Sequence, residues 1–463
     1  MQTPASMEKN NILIFILLIL IINRFFAQIC INMFYAFSFL LYIFLFIKDG
    51  NNLNLNKESL FKLVKEYETD SKFNLKLNFE SFKELSNGIF QAEGHIGGYF
   101  VSKKNNKFRP LIYIGLTVNI ESILFFVYLN KEFEYKMNYS IEKLPSDKFY
   151  IKLYSRDWKL IIDKIIPYFN NVYGDKYKGL KRLEKIYYLQ SEYNNKEKND
   201  EKIILLAYHL VDNSKRKLLI KDRFSLFKIS PTLDVNFFFI SENNKPLNFY
   251  FLLGFILGDG NIYVRIRESE NIPWFIPCIR INQKITEDNL LFLKNIQIFL
   301  HKENINSYVY ISGHLIYLSI EGIINIEKFI KLLTDNSFYW FWKKKEYLLL
   351  KKALLLMKLA ASKWQKGKEI LLNLVYSIVK YEKPIDYWQN ILFNYYTKNK
   401  NNKEYYISLW REKAWAVKLP IKIKPKVQFF FFKTYESKEK ALKEAIKYRD
   451  FKLNNWLKEN ELI

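Results

Sequence analysis

The sequence predicts an α+β protein built from two related half-domains, and three observations support this prediction. A short motif occurs twice, at residues 88–94 and 254–260. Each copy is followed by segments of alternating apolar and polar residues and then by helical spacing, the order expected of a helix, a strand pair and further helices. The chain has 463 residues with 49% hydrophobic content, which is enough for two or three domains with sizeable cores.

The repeated motif is an apolar helix-forming run with two small residues four apart, then an acid, then a glycine. The small pairs are Gly88 with Ala92 and Gly254 with Gly258, and the acids are Glu93 and Asp259. Small residues four apart clear one helix face, so two such helices can contact each other backbone to backbone. The glycine after each acid favours a left-handed residue that ends the helix. The repeat therefore predicts a duplicated domain whose motif helices meet at a shared centre.

An acid at a helix C-terminus needs a physical reason, because it faces unpaired carbonyls and the negative end of the helix dipole. The cost is a few tenths to about 1 kcal/mol unless a cation binds there. Glu93 and Asp259, with the free carbonyls that precede them, therefore suggest a cation site. The alternative interpretation is plain helix packing with both acids exposed to solvent.

The net charge of +25 predicts an acidic partner, either nucleic acid or an anionic membrane surface. Lys far outnumbers Arg, and Asn, Ile, Phe and Tyr are abundant, so part of the charge can reflect an A/T-rich genome such as that of an organelle. The two cysteines, Cys30 and Cys278, exclude a disulfide framework and a cysteine-based zinc site. Four scattered histidines make a histidine-based metal site a poor interpretation.

The first 78 residues divide into a hydrophobic segment, 1–49, and a linker with a helix, 50–78. Residues 12–47 are almost wholly apolar, and residues 25–47 alone are long enough to cross a bilayer. They predict either a membrane anchor or a leader that is later trimmed. A secretory signal is the poorer alternative, because no convincing small-residue cleavage site follows.

The first half-domain is predicted at residues 79–210. Its motif helix precedes strands near 97–101 and 109–118, joined by a basic turn at 103–107, and a further strand at 149–154. Helices are predicted at 158–169 and 178–189, a solvated charged loop at 192–202, and a linker at 211–245. The candidate nucleic-acid contacts of this half are Lys103, Lys104, Lys107 and Arg109.

The second half-domain is predicted at residues 246–355, where the alternation is clearer. Residues 261–267 bury Ile262, Val264 and Ile266 and project Tyr263, Arg265 and Arg267. The partner strand, 275–282, sets Arg280 and Asn282 against two buried isoleucines. Strands near 307–311 and 314–320 and helices at 287–300 and 323–333 complete the half. The polar face predicts a basic, aromatic binding surface, although a merely solvated sheet face is the alternative.

Residues 356–463 are Lys- and Trp-rich with helical spacing in patches, and they predict a helical, basic C-terminal extension. No motif in this part of the chain points to a chemistry.

These residues resemble the LAGLIDADG homing endonucleases of the single-chain, two-motif kind encoded in organellar introns. The resemblance covers roughly residues 80–355 and includes the two motifs and a Gln283-Lys284 pair at the end of a strand. It implies two pseudo-symmetric half-domains with motif helices at the centre and saddle-shaped antiparallel sheets along the DNA major groove. It also implies Mg²⁺-dependent phosphodiester hydrolysis at an intron insertion site by a monomer, in mitochondria (matrix or inner membrane) rather than plastids.

The resemblance assigns residues as well. It implies catalytic roles for Glu93, Asp259, Gln283 and Lys284, with the metal held by the two acids and the backbone carbonyls of Ala92 and Gly258. Double-stranded DNA is the implied partner. The alternative on the same fold is a maturase that binds its host intron RNA and needs the basic surface but not the acids. A third alternative is a membrane-attached protein that uses residues 12–47.

The first half departs from the family pattern. By spacing, Thr117 or Val118 occupies the place of Gln283, so this half is expected to lack the polar residue beside its acid. The active-site lysine common in the family is not identifiable by spacing. Lys152 is the candidate for the first half, and the second half offers none.

Overall fold

The computed structural model describes residues 57–69, 78–102, 105–192, 196–210, 246–269, 272–332, 337–358, 365–377, 381–398, 406–420 and 423–460. The chain divides into two compact units, residues 1–63 and 64–463, and every element from residue 78 onward belongs to the second unit. The predicted leader at 1–49, the linker at 211–245 and the candidates Lys103 and Lys104 lie outside the described residues. Within the described ranges, no helix combines the length and apolar character needed to cross a bilayer.

The first half contains the following elements after helix α1 (Lys57–Thr69). The helices are α2 (Phe79–Glu93), α3 (Ile120–Glu132), α4 (Trp158–Leu160, a π-helical turn at Ile161–Ile165, then Ile166–Tyr168), α5 (Gly174–Ser191) and α6 (Lys196–Leu210). The strands are β1 (Gly94–Ser102), β2 (Asn105–Thr117), β3 (Asn138–Lys143) and β4 (Phe149–Ser155).

The second half repeats this plan. Its helices are α7 (Phe249–Asp259), α8 (Glu287–Lys302), α9 (Ile323–Leu332) and α10 (Lys344–Lys358), with a 3₁₀ segment at Ser337–Lys343. Its strands are β5 (Gly260–Ser269), β6 (Ile272–Lys284), β7 (Ser307–Ser312) and β8 (Leu315–Glu321).

The two halves share one sheet topology. The first antiparallel sheet has the order β1-β2-β4-β3, and the second has the equivalent order β5-β6-β8-β7. In both, the first strand begins at the residue after the motif acid, so the motif helix runs directly into the sheet. The predicted α+β fold with two pseudo-symmetric halves is confirmed.

The motif helices begin where local sequence allows it. Asn78 caps α2 by accepting hydrogen bonds from the backbone N–H groups of Glu80 and Ser81, and Asn248 caps α7 by accepting from Phe251 N at 2.8 Å. Asparagine is favoured at this position because its side chain satisfies amide groups that lack an intrahelical partner. The helices are thus fixed at their N-termini by sequence-local interactions, while their C-termini carry the acids.

The C-terminal extension contains helices α11 (Gln365–Tyr376), α12 (Ile385–Lys398) and α13 (Lys438–Glu459) and strands β9 (Ile407–Trp410), β10 (Ala414–Lys418) and β11 (Val427–Phe431). The strands form a third antiparallel sheet in the order β11-β10-β9. The helical structure predicted for the extension is therefore wrong at these three strands. These strands are only four or five residues long and show no clean alternation in sequence, so local pattern gave no strand signal.

Two further differences concern the first half. Helix α3 was not expected, because its buried residues, including Phe125, Phe126 and Val127, surround the helix and leave no amphipathic period. The charged stretch expected as a loop at 192–202 instead supplies the first turns of α6, whose second part buries Ile204 and Leu206. Burial of that apolar end stabilises the whole helix, although the sequence of its charged beginning is typical of a turn.

Candidate active site and nucleic-acid interface

The centre of the molecule is the contact between motif helices α2 and α7, which pack backbone to backbone. A Cβ atom added to Gly88 would lie 2.0 Å from the carbonyl oxygen of Phe251, and one added to Gly254 would lie 2.0 Å from that of Leu85. No side chain fits at such distances, so glycine permits this close approach. The pseudo-twofold axis of the two halves therefore passes between these two glycines.

The same contact brings the motif acids together. A Cβ atom added to Gly258 would lie 2.3 Å from Ala92 Cβ and 3.2 Å from Glu93 Cγ, so the end of α7 lies against the acid of α2. Glu93 and Asp259 are the final residues of their helices. The left-handed residue expected after each acid is not found: Gly94 and Gly260 are extended, with φ of −69° and −84°. Each glycine begins a strand instead of closing a turn.

Burial and charge leave both carboxylates poorly stabilised. Burial raises the pKa of Glu93 most, and the neighbouring Asp259 carboxylate raises it further, against the opposing effects of Lys176 and Lys343. Burial also raises the pKa of Asp259, opposed by a hydrogen bond from Gln283 and by the same two lysines. Two half-buried acids in one place with incomplete compensation form a site that favours an additional cation.

Two lysines that the sequence did not identify flank the acids. Lys176 Nζ in α5 donates a hydrogen bond to the carbonyl oxygen of Gly94, and Lys343 Nζ donates to those of Gly260 and, at 2.9 Å, Ile256. Each half thus places one ammonium group on the carbonyl that follows its motif acid. Burial lowers the pKa of Lys343 to about 8, although the neighbouring acids oppose that shift.

The position of Lys343 depends on an irregular segment. Phe341, in the 3₁₀ segment, has φ of +35°, a conformation that costs a bulky residue on the order of 1–3 kcal/mol. Its ring packs edge-on against Phe125 of the first half at 5.7 Å, and the next residue, Trp342, donates from Nε1 to Leu257 O at 2.9 Å. These contacts hold the strained turn in place and direct Lys343 at the end of α7.

The lysine predicted for the first half lies elsewhere. Lys152, on β4, forms an ion pair with Glu142 at 2.7 Å and lies over the rings of Tyr113 and Tyr150. It belongs to the polar face of the first sheet, whereas Lys176 occupies the position beside the acid. No local pattern marks Lys176, since it reaches Gly94 from 82 residues away.

The two acids have different neighbours on the adjoining strand. Gln283 Nε2 donates a hydrogen bond to Asp259 Oδ2. Gly260 pairs with Ile281 in the second sheet and Gly94 pairs with Ile114 in the first, so the residue equivalent to Gln283 is Leu116. The predicted equivalents, Thr117 or Val118, are one or two positions too late. Leu116 is buried and apolar, and it offers no hydrogen bond to Glu93.

Lys284 lies on the opposite face of β6 from Gln283 and is exposed at the end of the strand. The structure therefore does not bring Lys284 to the acids with Gln283. The alternation of side chains along β6 places Lys284 on the same face as Arg280 and Asn282.

The polar face of the second sheet carries the predicted basic and aromatic residues. Arg280 lies between three tyrosine rings, those of Tyr263, Tyr310 and Tyr317, at 5.5 to 5.9 Å. Arg265 and Arg280 both pair with Glu321, the latter at 3.8 Å. Sequence reasoning missed Glu321, which lies directly beside Cys278 on the neighbouring strand. It holds the two guanidinium groups in fixed positions on this face.

A groove connects this face to the active site. It has a volume of about 610 Å³, and its lining includes Lys343 and Gly260 at one end and Tyr263, Arg280 and Asn282 along the sheet. Asn282 accepts a hydrogen bond from Asn261 at 3.3 Å in the same groove. Arg267 is exposed further along β5. A ligand that lies along the sheet can therefore reach Lys343 and the backbone of Gly260, the residue after Asp259, without leaving the groove.

The first sheet offers a comparable face. Lys107 and Arg109 are exposed on β2, and Arg109 is paired with Tyr99 of β1. His95 stacks on Tyr113 with ring centroids 4.7 Å apart. Burial, followed by the charge of Glu93, raises the pKa of Tyr150, so this face also extends to the motif acid.

The donor set at the acids suits a hard divalent cation. Among the described residues, no cluster of three or more His, Cys, Asp or Glu side chains can hold a metal ion. The available donors are the carboxylates of Glu93 and Asp259 and helix-end carbonyls such as those of Ala92 and Gly258. Few carboxylates with open coordination positions match Mg²⁺, which keeps several waters and binds through one or two carboxylates plus substrate phosphates.

Comparison with known proteins identifies the fold. No family model matches the chain, and no curated protein sequence matches it. The structure is similar to the LAGLIDADG homing endonuclease I-LtrWI bound to target DNA, with a TM-score of 0.54 and 22% identity over 65% of this chain and 99% of that chain. It is also similar to the meganuclease I-SmaMI bound to uncleavable DNA, with a TM-score of 0.52 and 16% identity over 66% of this chain and 98% of that chain.

A third similar structure is I-SmaMI bound to cleaved DNA, with a TM-score of 0.50 and 17% identity over 66% of this chain and 99% of that chain. The chain thus has the LAGLIDADG homing endonuclease fold over about two thirds of its length.

Proposed function

We propose that this protein is a site-specific endonuclease that cleaves both strands of double-stranded DNA at an intron insertion site. The observation that carries the proposal is the pair of half-buried acids, Glu93 and Asp259, where the motif helices meet. Each acid has a lysine beside it, and each lies where a sheet with a basic, aromatic face begins. A pair of equivalent acids at a pseudo-twofold axis suits a substrate with two antiparallel strands.

The two sheets would bind the DNA. Arginine side chains can donate two hydrogen bonds to the edge of guanine, and asparagine can do the same to adenine in the major groove. Arg265, Arg280 and Asn282 supply these groups from the second sheet, and Arg109 and Lys107 supply cations from the first. Glu321 fixes Arg265 and Arg280 before DNA binds, which lowers the entropy lost on binding. The sheets therefore account for recognition and the acids for chemistry.

Glu93, Asp259 and the carbonyls of Ala92 and Gly258 would hold Mg²⁺. A bound divalent cation lowers the pKa of its water and stabilises charge that develops on the phosphate oxygens. The raised pKa values of the acids support this assignment, because carboxylates left under-compensated by the chain gain the most from an added positive charge. Gln283 would keep the Asp259 carboxylate in one orientation.

Lys176 and Lys343 would act on the phosphate rather than on the metal. Both ammonium groups are held by backbone carbonyls one residue beyond the acids, within the site that the scissile phosphates must enter. A fixed cation there stabilises the additional negative charge of the transition state without reorganising at the moment of reaction. The burial of Lys343 strengthens this effect, because water screens its charge less.

Several observations favour a nuclease over the RNA-binding alternative. The acids are retained and paired, which a maturase does not need. The similar structures are complexes with target DNA, uncleavable DNA and cleaved DNA, and this supports double-stranded DNA as the partner here.

Both halves lie in one chain, which suits a monomer. The abundance of Lys, Asn, Ile, Phe and Tyr, whose codons are A/T-rich, supports a mitochondrial location.

The test replaces each acid by its amide, Asp259→Asn and Glu93→Gln, which keeps shape and removes charge. We expect the rate of double-strand cleavage to fall by about 10²-fold or more, since charge stabilisation of the transition state is lost. Binding of the same DNA in Ca²⁺ should stay within a few-fold. The substrate is a supercoiled plasmid carrying the intronless insertion site, assayed in Mg²⁺ for nicked and linear products.

Asp288→Asn is the matched control. Asp288 is a partly buried acid of the second half that pairs with Lys178 of the first half at 2.7 Å and is not one of the motif acids. It should cleave at nearly the parent rate. If Asp259→Asn linearised the plasmid as fast as the parent, the assignment of the acids and the mechanism built on them would be wrong.

A further inference from the structure

The C-terminal extension contains a small sheet, and the described helix that contacts it, α13, lies on one of its faces. Strands β9, β10 and β11 are antiparallel, and α13 packs on one side of them. On that side Phe430 contacts Tyr448 with ring centroids 5.5 Å apart, and Trp415 Nε1 donates to Lys438 O at 3.0 Å. Val417 is fully buried there. Alternation along the strands therefore assigns the neighbouring residues to the other face.

The other face, which we call the third-sheet face, carries aromatic residues on two strands. The ring of Trp410 lies 5.1 Å from that of Phe429 and 6.2 Å from that of Phe431. Ala414 and Ala416 of β10 lie on this same face, because they pair with Phe431 and Phe429. Both alanines are buried. Phe431 remains 45% exposed. Trp410 and Phe429 beside it are partly exposed, so the three rings form one contiguous aromatic surface, which is typical of a binding site.

The charge around the third-sheet face is strongly positive. Residues 406–433, the segment that contains the three strands, include seven Lys or Arg residues and one acid, Glu412. Six of the cations are exposed, three at each end of the sheet: Arg411, Lys413 and Lys433 at one end and Lys418, Lys424 and Lys426 at the other. The Arg411 guanidinium also lies over the Trp410 ring at 4.9 Å. Cations at both ends of an aromatic ridge are complementary to two parallel lines of phosphates.

The size of the sheet fits a DNA groove. Three strands span about 10 Å from first to third, and a five-residue strand is about 17 Å long. The major groove is about 12 Å wide and accepts sheets and β-ribbons, with phosphate backbones on both sides. The aromatic ridge would lie in the groove, while the cations at the two strand ends reach opposite backbones.

We infer that the third-sheet face is a second DNA-binding surface, which binds duplex DNA flanking the cleavage site. This inference rests on the proposed function for the location of the DNA, but its chemistry stands on the sheet itself. A single-stranded ligand is disfavoured because base stacking requires free ring faces. Here Phe429 and Phe431 stack on each other at 6.1 Å with an angle of 29°, and Trp410 and Arg411 cover further ring surface.

The test removes three cations of the third-sheet face, Arg411→Ala, Lys418→Ala and Lys433→Ala, in the full chain. The control removes three exposed cations from α13, Lys443→Ala, Lys447→Ala and Lys458→Ala, for the same loss of net charge. Binding to a duplex of arbitrary sequence, about 40 base pairs long, is titrated over a range of salt concentrations. The melting temperature of each variant verifies that it is folded.

We expect the face variant to reduce the slope of log K against log salt by about 2 to 3, since each lost phosphate contact contributes about 0.9. The control should change the slope by less than about 1. Equal slopes for the two variants would overturn the inference. So would a face variant that lost binding to a single strand of the same length while its duplex binding stayed at the parent value.

The outcomes separate this inference from the proposed function. Cleavage of the intronless plasmid depends on Asp259. The difference between the face variant and the control in the slope of log K against log salt depends on the third-sheet face. If Asp259→Asn abolishes cleavage and the face variant binds the duplex like the control, the nuclease proposal stands and the inference fails. If only the face variant shows a reduced slope of log K against log salt, and the parent protein does not cleave the plasmid, the inference stands and the nuclease proposal fails.

Discussion

At the scale of single residues, Glu93 and Asp259 combine a helix C-terminus, partial burial and mutual proximity, three conditions that each disfavour a carboxylate. Lys176 and Lys343 compensate only in part, because both are also held by backbone carbonyls. The site is thus electrostatically incomplete without a cation. Its two sides also differ, since Gln283 supports Asp259 while the equivalent Leu116 cannot support Glu93.

The raised pKa values predict how stability depends on pH in the absence of metal. An acid whose pKa is higher in the folded state binds more protons when folded, so stability falls as pH rises from the unfolded value towards the folded one. Asp259→Asn and Glu93→Gln should therefore unfold at higher temperature than the parent at about pH 7.5 in a chelator. The difference should shrink as pH falls towards about 4, the ordinary range of these acids.

Thermal melts across this pH range, with and without Mg²⁺, measure the effect. Added Mg²⁺ should raise the melting temperature of the parent more than that of either variant, because only the parent keeps both charged ligands. An Asp259→Asn protein that melts below the parent at neutral pH without metal would contradict the electrostatic account.

The asymmetry between Gln283 and Leu116 predicts a defect in one strand cut. Gln283→Leu gives the second half the apolar neighbour of the first, and loss of such a supporting hydrogen bond typically costs about 10–100-fold in metal affinity or activity. Nicked plasmid should accumulate ahead of linear product. Gln297→Leu is the control, since it removes a 2.8 Å hydrogen bond to Ser307 in the same half but away from the acids. Parent-like nicking kinetics in Gln283→Leu would refute the assigned role.

Among the secondary-structure elements, the two motif helices form the centre of the interface between the half-domains, and they also carry the acids of the candidate active site. Gly88 and Gly254 allow the backbones of α2 and α7 to touch, and Gly258 brings Ala92 and Glu93 against the end of α7. Because the helices run directly into β1 and β5, any shift at this contact also moves the sheets. Packing and catalysis therefore depend on the same glycines.

A glycine at this contact should tolerate no side chain. Gly254→Ala places Cβ 2.0 Å from Leu85 O and 3.0 Å from Ile89 N, both backbone atoms that cannot move independently. We expect the free energy of unfolding to fall by about 3 kcal/mol, the upper range for overpacking. Gly179→Ala, in α5, meets the side chain of Ile96, whose nearest atom is Cδ1 at 3.1 Å, and its change should stay within about 1 kcal/mol. Denaturant unfolding measures the free energy of unfolding of both variants. Similar decreases in the two variants would contradict the interpretation that the helix backbones touch at Gly254.

At the scale of the whole molecule, the chain combines a two-half nuclease fold with a basic extension, and its net charge is +25. Three sheets present basic and aromatic faces, two beside the acids and one in the extension. Acidic residues on the two larger sheets, Glu142 and Glu321, pair with cations there and order them. The charge is therefore arranged on binding faces as well as distributed over the surface.

This arrangement predicts a steep dependence of DNA binding on salt. Six to ten phosphate contacts correspond to a slope of about −5 to −9 in log K against log salt and to a loss of roughly 10³ to 10⁵ in affinity between 50 and 200 mM. The measurement is a titration of the parent protein with a duplex that carries the intronless site. A slope shallower than about −3 would show that most of the charge does not contact DNA.

The features that could be predicted from the sequence depend on residues close together in the chain. Small residues four apart predicted the contact of the motif helices, because helix geometry alone places them on one face. Alternation predicted the polar face with Tyr263, Arg265 and Arg280, because a strand has a period of two. The acid-glycine pairs located both ends of the candidate site, although not the extended conformation of Gly94 and Gly260.

The features that join distant segments could not be predicted and appear only in the folded molecule. Lys343 reaches Gly260 across 83 residues and Lys176 reaches Gly94 across 82, separations at which no periodic pattern operates. The equivalence of Leu116 and Gln283 follows from strand register, which hairpin geometry sets and residue counting misjudged. The third sheet formed because α13 buries one face of strands too short to show a pattern of their own. In each case the deciding energy comes from burial and pairing between segments, which the local sequence does not encode.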